Sequence, residues 1–598
     1  MSLLQKPSFK KIVFHCIFIL AVYAILLLIR LPILANADYF LNYDEGFMAA
    51  DIADLFNGGP FSFYHDNKSY HGTFNSLTAI PFFWTFGVNS LAFKLPGVLF
   101  YTLYTWTFFL LAMQLNRKIA WVSVALLVLC PPNILSLTTL NYPHILIAFF
   151  GNAAFLIFLS NRDNPSYFKV FYIAFIMGFS FYIYTLSVIY LAVLIILWVL
   201  DAKISFRKVF EWFKPSCFRE GCARFIDIII LLNLSWILLS FITGGISLKL
   251  GDFNLFTSFM KGNIPHYKTW DSNKLYVPFI EFFIFMVILR VVIFRADILR
   301  FFKTMKDSPS IRLWGIGLFG FLIGLTPRWI GLYANSISGH AGYELDLGLP
   351  QMWHKLSDLV SVQLPNILEL DSSYLGMLVA VLMGVAVFNF LRRDKGGVEI
   401  IFAILPILLL SASIIYQKPH TVRHLFPIYG VVVFYISSFL FRVEKKSAHS
   451  FWVLLVFLGS YYGYATYSYY KDLNIINGFS ILKKDTITDD LIRYARERQF
   501  QVVYTDYSAH KLQFLSGGNP NFVEFHSYPE HGWIRRIKAG WMPNFAVFVP
   551  EGKNLAVYES HLKDRKISCH RENLYQYLVL SRCLGTPFDV YELRSLGR

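Results

Sequence analysis

The chain has 598 residues, of which 56% are hydrophobic, 18% are aromatic and only 15% are charged. Because soluble domains carry about 25% charged residues, this composition excludes low-complexity disorder, a fibrous repeat and an ordinary cytosolic enzyme. It predicts a polytopic α-helical membrane protein. The net charge of +16 would suit nucleic-acid binding, but the positions of the basic residues exclude that class of protein.

Membrane-spanning helices need about 20 mostly apolar residues, and several segments of the chain meet this need. They are 12–34, 91–114, 119–135, 143–160, 168–183, 184–200, 225–247, 276–295, 311–326, 373–391, 398–416, 425–442 and 449–468. Because 168–200 could form one long helix or two short ones, we predict about 11–13 transmembrane helices.

Lys and Arg residues indicate the orientation of these helices. If the N-terminus, with Lys6, Lys10 and Lys11, is cytoplasmic and the spans alternate, most loop Lys and Arg residues fall on the cytoplasmic side. This is the positive-inside pattern of a membrane protein. It excludes nucleic acid as a partner and implies contact with membrane lipids.

The first long outer loop, residues 35–75, is rich in acids and holds two histidines. Its titratable side chains include Asp38, Asp44, Glu45, Asp51, Asp54, His65, Asp66, Lys68 and His71. Residues 44–56 can form a short helix on the membrane surface, with Asp44, Asp51 and Asp54 on one face and Glu45 to the side. A carboxylate held there could act as a general base toward an acceptor hydroxyl or amine. Alternatively, these acids only solvate the loop and cap its helix.

A cytoplasmic N-terminus, a first span and an Asp-Glu pair opening a long outer loop resemble the GT-C class of integral-membrane glycosyltransferases. The similarity is greatest to the branch of protein O-mannosyltransferases and aminoarabinose (lipid A) transferases. The resemblance implies that Asp44 is the catalytic base and that Glu45, beside it, is also a catalytic residue.

Three further stretches resemble family motifs in the same order. FGVNSLAFKLPGVLF (86–100) resembles the start of the second span, with Lys94 in place of the usual Arg. LIGLTPRWIGLYAN (322–335) resembles the stretch before the later outer loop, here residues 327–372. TVRHLFPIYGVV (421–432) resembles the outer end of a late span, where Arg423 would contact the lipid-linked phosphate and His424 replaces the commoner Tyr.

One stretch departs from the family pattern. Where relatives often carry an Asp in an Asp-x-Pro setting at the outer start of the fourth span, this chain has Asn141-Tyr142-Pro143-His144. Asn141 can hydrogen-bond a substrate but cannot act as a base, so a mechanism with two carboxylates does not follow from the resemblance. His144 could compensate, or it could be structural.

The resemblance implies a polyprenyl-phosphate sugar as the donor, whose departing phosphate needs fixed cations. Arg423 is the preferred ligand because a guanidinium fork matches phosphate oxygens, although it could also be a counter-ion for loop acids. Lys94 could bind the donor or extend its amine to the membrane surface, and Lys68 lies where relatives place a donor-binding Lys. The predicted substrate-binding residues are Lys68, His71, Lys94, Asn141, His144, Arg328, Arg423 and His424.

These features predict an inverting glycosyltransferase in which Asp44 activates an acceptor for single displacement at the anomeric carbon. No nucleotide is expected, and a divalent metal is possible at His65, Asp66 and His71 but is not predicted. The acceptor could be a protein, a lipid or a glycan, and the composition points to a bacterial inner membrane.

Two alternatives stay open. Within the same class, the chain could be a polymerase or ligase for larger lipid-linked glycans. In a different class, it could be a transporter or flippase of a lipid-linked sugar. Glu281 and Arg290 on the eighth span are charges that would suit transport.

The tail, residues 471–598, has no further span and predicts a small extracytoplasmic α/β domain that follows a transmembrane domain of residues 1–470. Thr488–Arg498 predicts an amphipathic helix, and Gln501–Tyr504 and Phe545–Val549 predict short buried strands. Cys569 and Cys583 could pair in an oxidising compartment.

Overall fold

The structure is a computed structural model. It describes residues 9–65, 71–162, 166–201, 309–334, 348–369, 397–415, 423–484, 487–505 and 509–524, the strands at 245–250, 253–259, 343–346, 545–550, 568–574 and 577–584, and a few isolated positions.

Helices dominate the described residues up to Asp472. In chain order they are α1 (Phe9–Ala35), α2 (Tyr43–Phe56), α3 (Phe74–Leu77), α4 (Ile80–Phe86), α5 (Ser90–Met113), α6 (Arg117–Val128), α7 (Pro132–Leu137), α8 (Pro143–Asn161), α9 (Tyr167–Ile183), α10 (Val188–Asp201), α11 (Pro309–Gly324), α12 (Thr326–Ala334), α13 (Leu349–Asp358), α14 (Leu364–Leu368), α15 (Gly397–Ile415), α16 (Phe426–Lys446) and α17 (Ala448–Asp472). Within the described part of the chain, α1, α5, α8, α15 and α16 are long and apolar enough to cross a membrane. The protein is therefore a helical membrane protein, as its composition predicts.

Two of the predicted membrane-spanning regions, 119–135 and 168–200, are interrupted in the structure. The prediction of one helix at 119–135 is wrong, because α6 ends at Val128 and α7 begins at Pro132. Pro131 and Pro132 carry no N–H donor and fix φ, so a helix cannot run through them. Region 168–200 forms two helices, α9 and α10, separated by a 3-10 turn at Thr185–Ser187. The predicted spans 225–247, 276–295 and 373–391 lie largely outside the described residues.

A three-stranded sheet joins two segments that are distant in sequence. Strand β1 (Gly245–Leu250) pairs antiparallel with β2 (Phe253–Phe259) and parallel with β3 (Tyr343–Asp346). Two loops that the sequence assigns to the outer side are thus connected by backbone hydrogen bonds.

The C-terminal region contains a mixed sheet with helices packed on it. Its elements are β4 (Ile476–Asn477), β5 (Ser480–Ile481), α18 (Ile487–Glu497), β6 (Val502–Thr505), α19 (Ala509–Ser516), β7 (Asn521–Glu524), β8 (Phe545–Pro550), β9 (Ser568–Leu574) and β10 (Tyr577–Leu584). The strand order is β7-β6-β8-β10-β9, with β6 parallel to both neighbours and the other pairs antiparallel. The predicted helix and both predicted strands are confirmed to within about two residues at each end.

The core of the C-terminal region follows from amphipathic patterning. Leu491 of α18 and Leu512 of α19 pack with Phe548 and Val579 of the sheet, which buries one face of each element. Cys569 in β9 is disulfide-bonded.

The C-terminal region sits on the end of the helix bundle that carries the first loop. The Asn36 side chain donates to Leu482 O and accepts from Lys484 N at 2.9 and 2.7 Å. Phe514 of α19 packs near Phe83 and Phe93, with ring centroids 6.4 and 6.2 Å apart. These contacts place α19 against α4 and α5, and the same helix also packs on α2.

Candidate active site

The helix α2 presents the predicted Asp-Glu pair in its first turn. Asn42 is the N-cap, and its side-chain oxygen accepts from Glu45 N at 3.0 Å. Such a cap satisfies a backbone donor that the helix leaves unpaired, and acids in the first turn are stabilised by the helix dipole. The Tyr142 hydroxyl also donates to Asn42 Oδ1, at 3.0 Å. The start of α2 is therefore fixed to the segment that precedes α8.

Asp44 forms an ion pair with Arg423, which lies just before α16. Arg423 Nη1 donates to Asp44 Oδ2 at 2.6 Å, and the two side chains are 33% and 32% exposed for Arg423 and Asp44, respectively. The guanidinium carbon also lies 5.4 Å from the centre of the Tyr142 ring, within the range of a cation–π contact. Burial alone would lower the pKa of Arg423, but the hydrogen bond and charge of Asp44 raise it above its ordinary value. The arginine is thus held as a cation beside a carboxylate that solvent can reach.

Glu45 has a different environment. It is fully buried, Lys94 Nζ donates to its Oε2, and Asn141 N donates to its Oε1 at 3.1 Å. Lys94 is also fully buried and donates to Phe40 O at 3.1 Å. The expectation that Lys94 extends to the membrane surface is therefore wrong, because its amine is enclosed by Glu45 and a backbone carbonyl. A buried pair of this kind couples α2 to α5.

Three of the predicted substrate-binding residues, His71, His144 and His424, lie near Arg423 or the start of α8. His144 is buried, with its ring 5.1 Å from His424 and 4.6 Å from Tyr184. His424 Nε2 and the Tyr184 hydroxyl are hydrogen-bonded at 3.2 Å. The His71 ring lies 6.0 Å from Tyr184. We refer to His71, His144, Tyr184 and His424 as the histidine–tyrosine cluster.

Asn75 connects this cluster to the start of α8. Its side chain pairs with His71 Nε2 at 3.1 Å and donates to Asn141 O at 2.9 Å. Asn141 thereby uses both of its backbone groups, one toward Glu45 and one toward Asn75. The first loop, α5 and the start of α8 meet at this residue.

The remaining predicted residues are elsewhere or undescribed. Asp51 Oδ2 pairs with His65 Nδ1 at 2.9 Å, and His65 Nε2 pairs with Ser76 Oγ at 2.9 Å, so Asp51 does not share the partner of Asp44. Arg328 is buried and donates to the Tyr64 hydroxyl at 3.2 Å. Outside the described residues are Asp66, Lys68, Glu281 and Arg290. Among the residues that the structure does describe, no group of three or more His, Cys, Asp or Glu is suited to a metal ion.

The C-terminal helix α19 closes over α2. A Cβ added at Gly46 would meet the backbone N and Cα of Lys511 at 2.9 Å, so the two helices approach as closely as a glycine permits. The His510 ring packs edge-on to Phe47, with centroids 4.9 Å apart. Lys511 Nζ donates to Tyr39 O at 3.2 Å. Burial, followed by the charge of Lys94, lowers the pKa of Lys511 to about 8.

Sequence reasoning missed three residues of this site. Tyr142 stood inside the Asn-Tyr-Pro-His stretch but was assigned no role. Tyr184 lies where a polar interruption, Tyr184-Thr185-Leu186-Ser187, separates two apolar helices, and that interruption was its signal. His510 carried no local signal, because its contact with Phe47 depends on the docking of α19.

The chain thus combines a helical membrane fold with a carboxylate, a guanidinium and a histidine–tyrosine cluster at one end of its bundle. It is similar to the crystal structure of the Archaeoglobus fulgidus oligosaccharyltransferase in complex with zinc and sulfate, with 11% identity, a TM-score of 0.46, and coverage of 93% of this chain and 71% of that chain. It is similar to ArnT from Cupriavidus metallidurans bound to undecaprenyl phosphate, with 11% identity, a TM-score of 0.37, and coverage of 96% and 98%. The apo form of that ArnT gives 12% identity, a TM-score of 0.34, and coverage of 90% and 92%.

Both of these neighbouring proteins are GT-C glycosyltransferases. Since all three TM-scores are below 0.5, the function proposed for this chain rests on the geometry of its own site. No protein-family model matches the sequence, nor does any curated protein sequence.

Proposed function

We propose that this chain is an inverting glycosyltransferase that moves a sugar from a polyprenyl-phosphate donor to an acceptor at the extracytoplasmic face of the membrane. The observation that carries the proposal is the Asp44–Arg423 pair, a carboxylate and a guanidinium 2.6 Å apart and both about one-third exposed. A base and a phosphate ligand are the two groups that this reaction requires, and here they are in contact.

In the proposed reaction, these two side chains act directly on the two substrates. Asp44 removes the proton from the acceptor hydroxyl while the oxygen of that hydroxyl attacks the anomeric carbon of the donor. The bond between that carbon and the phosphate oxygen breaks, and the polyprenyl phosphate leaves with both bonding electrons. Arg423 stabilises the negative charge that develops on the phosphate. A guanidinium has five N–H donors, so Arg423 can hold Asp44 and still donate to phosphate.

Location of the site at the extracytoplasmic face is part of the proposal. The first loop and the C-terminal region lie at one end of the bundle, joined by Asn36 and α19. Cys569 in that region is disulfide-bonded, and disulfides persist in oxidising compartments. Together with the positive-inside pattern, this supports a cytoplasmic N-terminus and an extracytoplasmic domain of residues 471–598, whereas a bacterial inner membrane is proposed from the composition alone.

The test is release and transfer of sugar from a radiolabelled polyprenyl-phosphate sugar by the purified protein in nanodiscs. We expect Asp44→Asn to abolish transfer while it still binds the donor and keeps its melting temperature. Asp38→Asn, which removes an exposed acid of the same loop, is the matched control and should stay active. If wild type binds donors and transfers none of them to any acceptor extract, transport of the lipid-linked sugar becomes the better proposal.

A further inference from the structure

Two buried polar side chains beside the proposed active site make no hydrogen bonds to the described part of the chain. They are Asn141, which is 0% exposed, and His144, which is 4% exposed. Both amide atoms of Asn141 and both ring nitrogens of His144 lack a protein partner there. Native proteins pair about 90% or more of such groups, because an unpaired buried group loses its hydrogen bonds to water without a replacement. The presence of two such side chains in one segment indicates that their polar atoms bind a ligand.

The unpaired nitrogen and oxygen atoms of Asn141 and His144 are suited to hydrogen-bonding hydroxyl groups. An Asn side chain has two N–H donors and one acceptor oxygen, and a neutral imidazole has one donor and one acceptor. A sugar hydroxyl can both donate and accept, so either side chain can bind it without a change of charge. The segment therefore carries complementary atoms for more than one hydroxyl.

Aromatic rings enclose this polar segment. Around His144 lie Tyr184, His424 and Tyr142, with ring centroids 4.6, 5.1 and 6.0 Å away. A few polar groups among aromatic side chains are typical of small-molecule sites. Arg423 lies over the Tyr142 ring, which places the segment next to the proposed phosphate ligand, as the sugar of a sugar phosphate must be.

The charges of the neighbouring residues are already balanced. Asp44 is paired with Arg423, and Glu45 is paired with Lys94 and also accepts from Asn141 N. Each of these two carboxylates thus has its own cation, and the unpaired side chains beside them, Asn141 and His144, are not carboxylates. An ammonium group on the sugar would meet amide and imidazole groups in place of a carboxylate.

We propose that Asn141 and His144 bind the sugar of the donor and select a neutral, hydroxyl-bearing sugar over an amino sugar. This inference rests on the proposed function, because it names the substrate class of that same site. Asn141 and His144 determine which sugar is bound, whereas Asp44 and Arg423 perform the transfer.

The experiment compares kcat/KM for two donors, polyprenyl-phosphate mannose and polyprenyl-phosphate aminoarabinose, with wild-type protein in nanodiscs. We expect a preference of about tenfold or more for the neutral donor, because a site built for hydroxyl groups discriminates by the partners it leaves unpaired. Equal or better use of aminoarabinose would overturn the inference and leave the glycosyltransferase intact. Failure to transfer either sugar would count against the proposed function itself.

Two variants test the roles of Asn141 and His144 separately. Asn141→Asp has nearly the same shape and adds a carboxylate, so the donor preference should shift toward aminoarabinose by about tenfold or more. His144→Phe keeps a ring but removes both nitrogens, and it should lower kcat/KM for the neutral donor without weakening the binding of sugar-free polyprenyl phosphate. An unchanged donor ratio in folded Asn141→Asp, or equal loss of sugar-free lipid binding in His144→Phe, would contradict a sugar-binding role.

Discussion

Asp44 and Arg423 are 379 residues apart in the sequence, yet Arg423 Nη1 lies 2.6 Å from Asp44 Oδ2. The contact joins the first loop to the start of α16, so the proposed base and the proposed phosphate ligand are positioned by opposite halves of the helical region. Each residue fixes the orientation of the other before any substrate arrives. Preorganised charge of this kind is most effective where charge develops during a reaction.

Substitutions of Arg423 should separate its charge from its geometry. Arg423→Met removes both, and we expect kcat/KM for the lipid-linked donor to fall by about 10²-fold or more. Arg423→Lys keeps a point charge but loses the planar fork, so its loss should be smaller. The measurement is sugar transfer at several donor concentrations.

The matched control for this series is Arg493→Met. Arg493 pairs with Asp490 on an exposed face of α18, and such surface pairs contribute about 0–1 kcal/mol. Its transfer rate should equal that of wild type. Full activity in Arg423→Met would remove Arg423 from the mechanism.

The buried pair of Glu45 and Lys94 makes a prediction about stability. Glu45→Gln or Lys94→Met alone leaves one buried charge without its partner, which typically costs about 3–5 kcal/mol. The double variant Glu45→Gln, Lys94→Met has no buried charge, and the Gln oxygen can still accept from Asn141 N. We expect its melting temperature to lie above those of both single variants. Additive losses in the double variant would show that the two side chains act independently.

The sequence was sufficient to predict the helix α2 and to single out Arg423 as a site candidate. Its acids, its N-cap type and its helical spacing are local features, and Arg423 was found through a motif beside a predicted span. The contact between Asp44 and Arg423 also matches the alternative that Arg423 is the counter-ion of a loop acid, so the roles of base and phosphate ligand stay a proposal.

The partner of Glu45 could not be predicted in the same way. Lys94 begins a span, and a lysine there can bind a ligand, reach the membrane surface or pair with a buried acid. Only the packing of α5 against the first loop decides among these three roles. In the structure, the Lys94 amine is enclosed by Glu45 and Phe40 O. The break at Pro131-Pro132 is different, because both prolines are visible in the sequence. The apolar residues on both sides of them nevertheless favour the prediction of a single membrane span.

The close approach of α2 and α19 predicts that Gly46 tolerates no side chain. In Gly46→Ala the new Cβ would meet Lys511 N and Cα at 2.9 Å, and backbone atoms cannot turn aside as a side chain can. Overpacking of this kind costs about 1–3 kcal/mol. It must also displace α2, which carries Asp44, so we expect kcat for sugar transfer to fall by about tenfold or more.

Gly463→Ala is the control for Gly46→Ala. Gly463 lies inside α17, and an added Cβ there meets no atom within 4 Å. Because Ala favours a helix over Gly by about 1 kcal/mol, this variant should be as stable as wild type or slightly more stable, with unchanged transfer. Wild-type melting and activity in Gly46→Ala would mean that α19 does not position α2.

Lys511 predicts how stability depends on pH. Its pKa is lowered from the ordinary 10.5 to about 8, first by burial and then by the charge of Lys94. Below pH 8 the amine is protonated in both the folded and the unfolded state. Between pH 8 and 10.5 only the unfolded state keeps the proton, so the free energy of unfolding rises with pH across this interval.

Lys511→Met keeps the alkyl chain and removes the titrating amine, so it isolates this contribution from all other groups. We expect the melting temperature of wild type, relative to Lys511→Met, to be constant below pH 8 and to rise between pH 8 and 10.5. Melting of both proteins in the same detergent at half-unit pH steps measures the difference. A fall in the relative stability of wild type over that interval would instead show that the folded state stabilises the ammonium, contrary to the enclosed position of Lys511 between α2 and Tyr39 O.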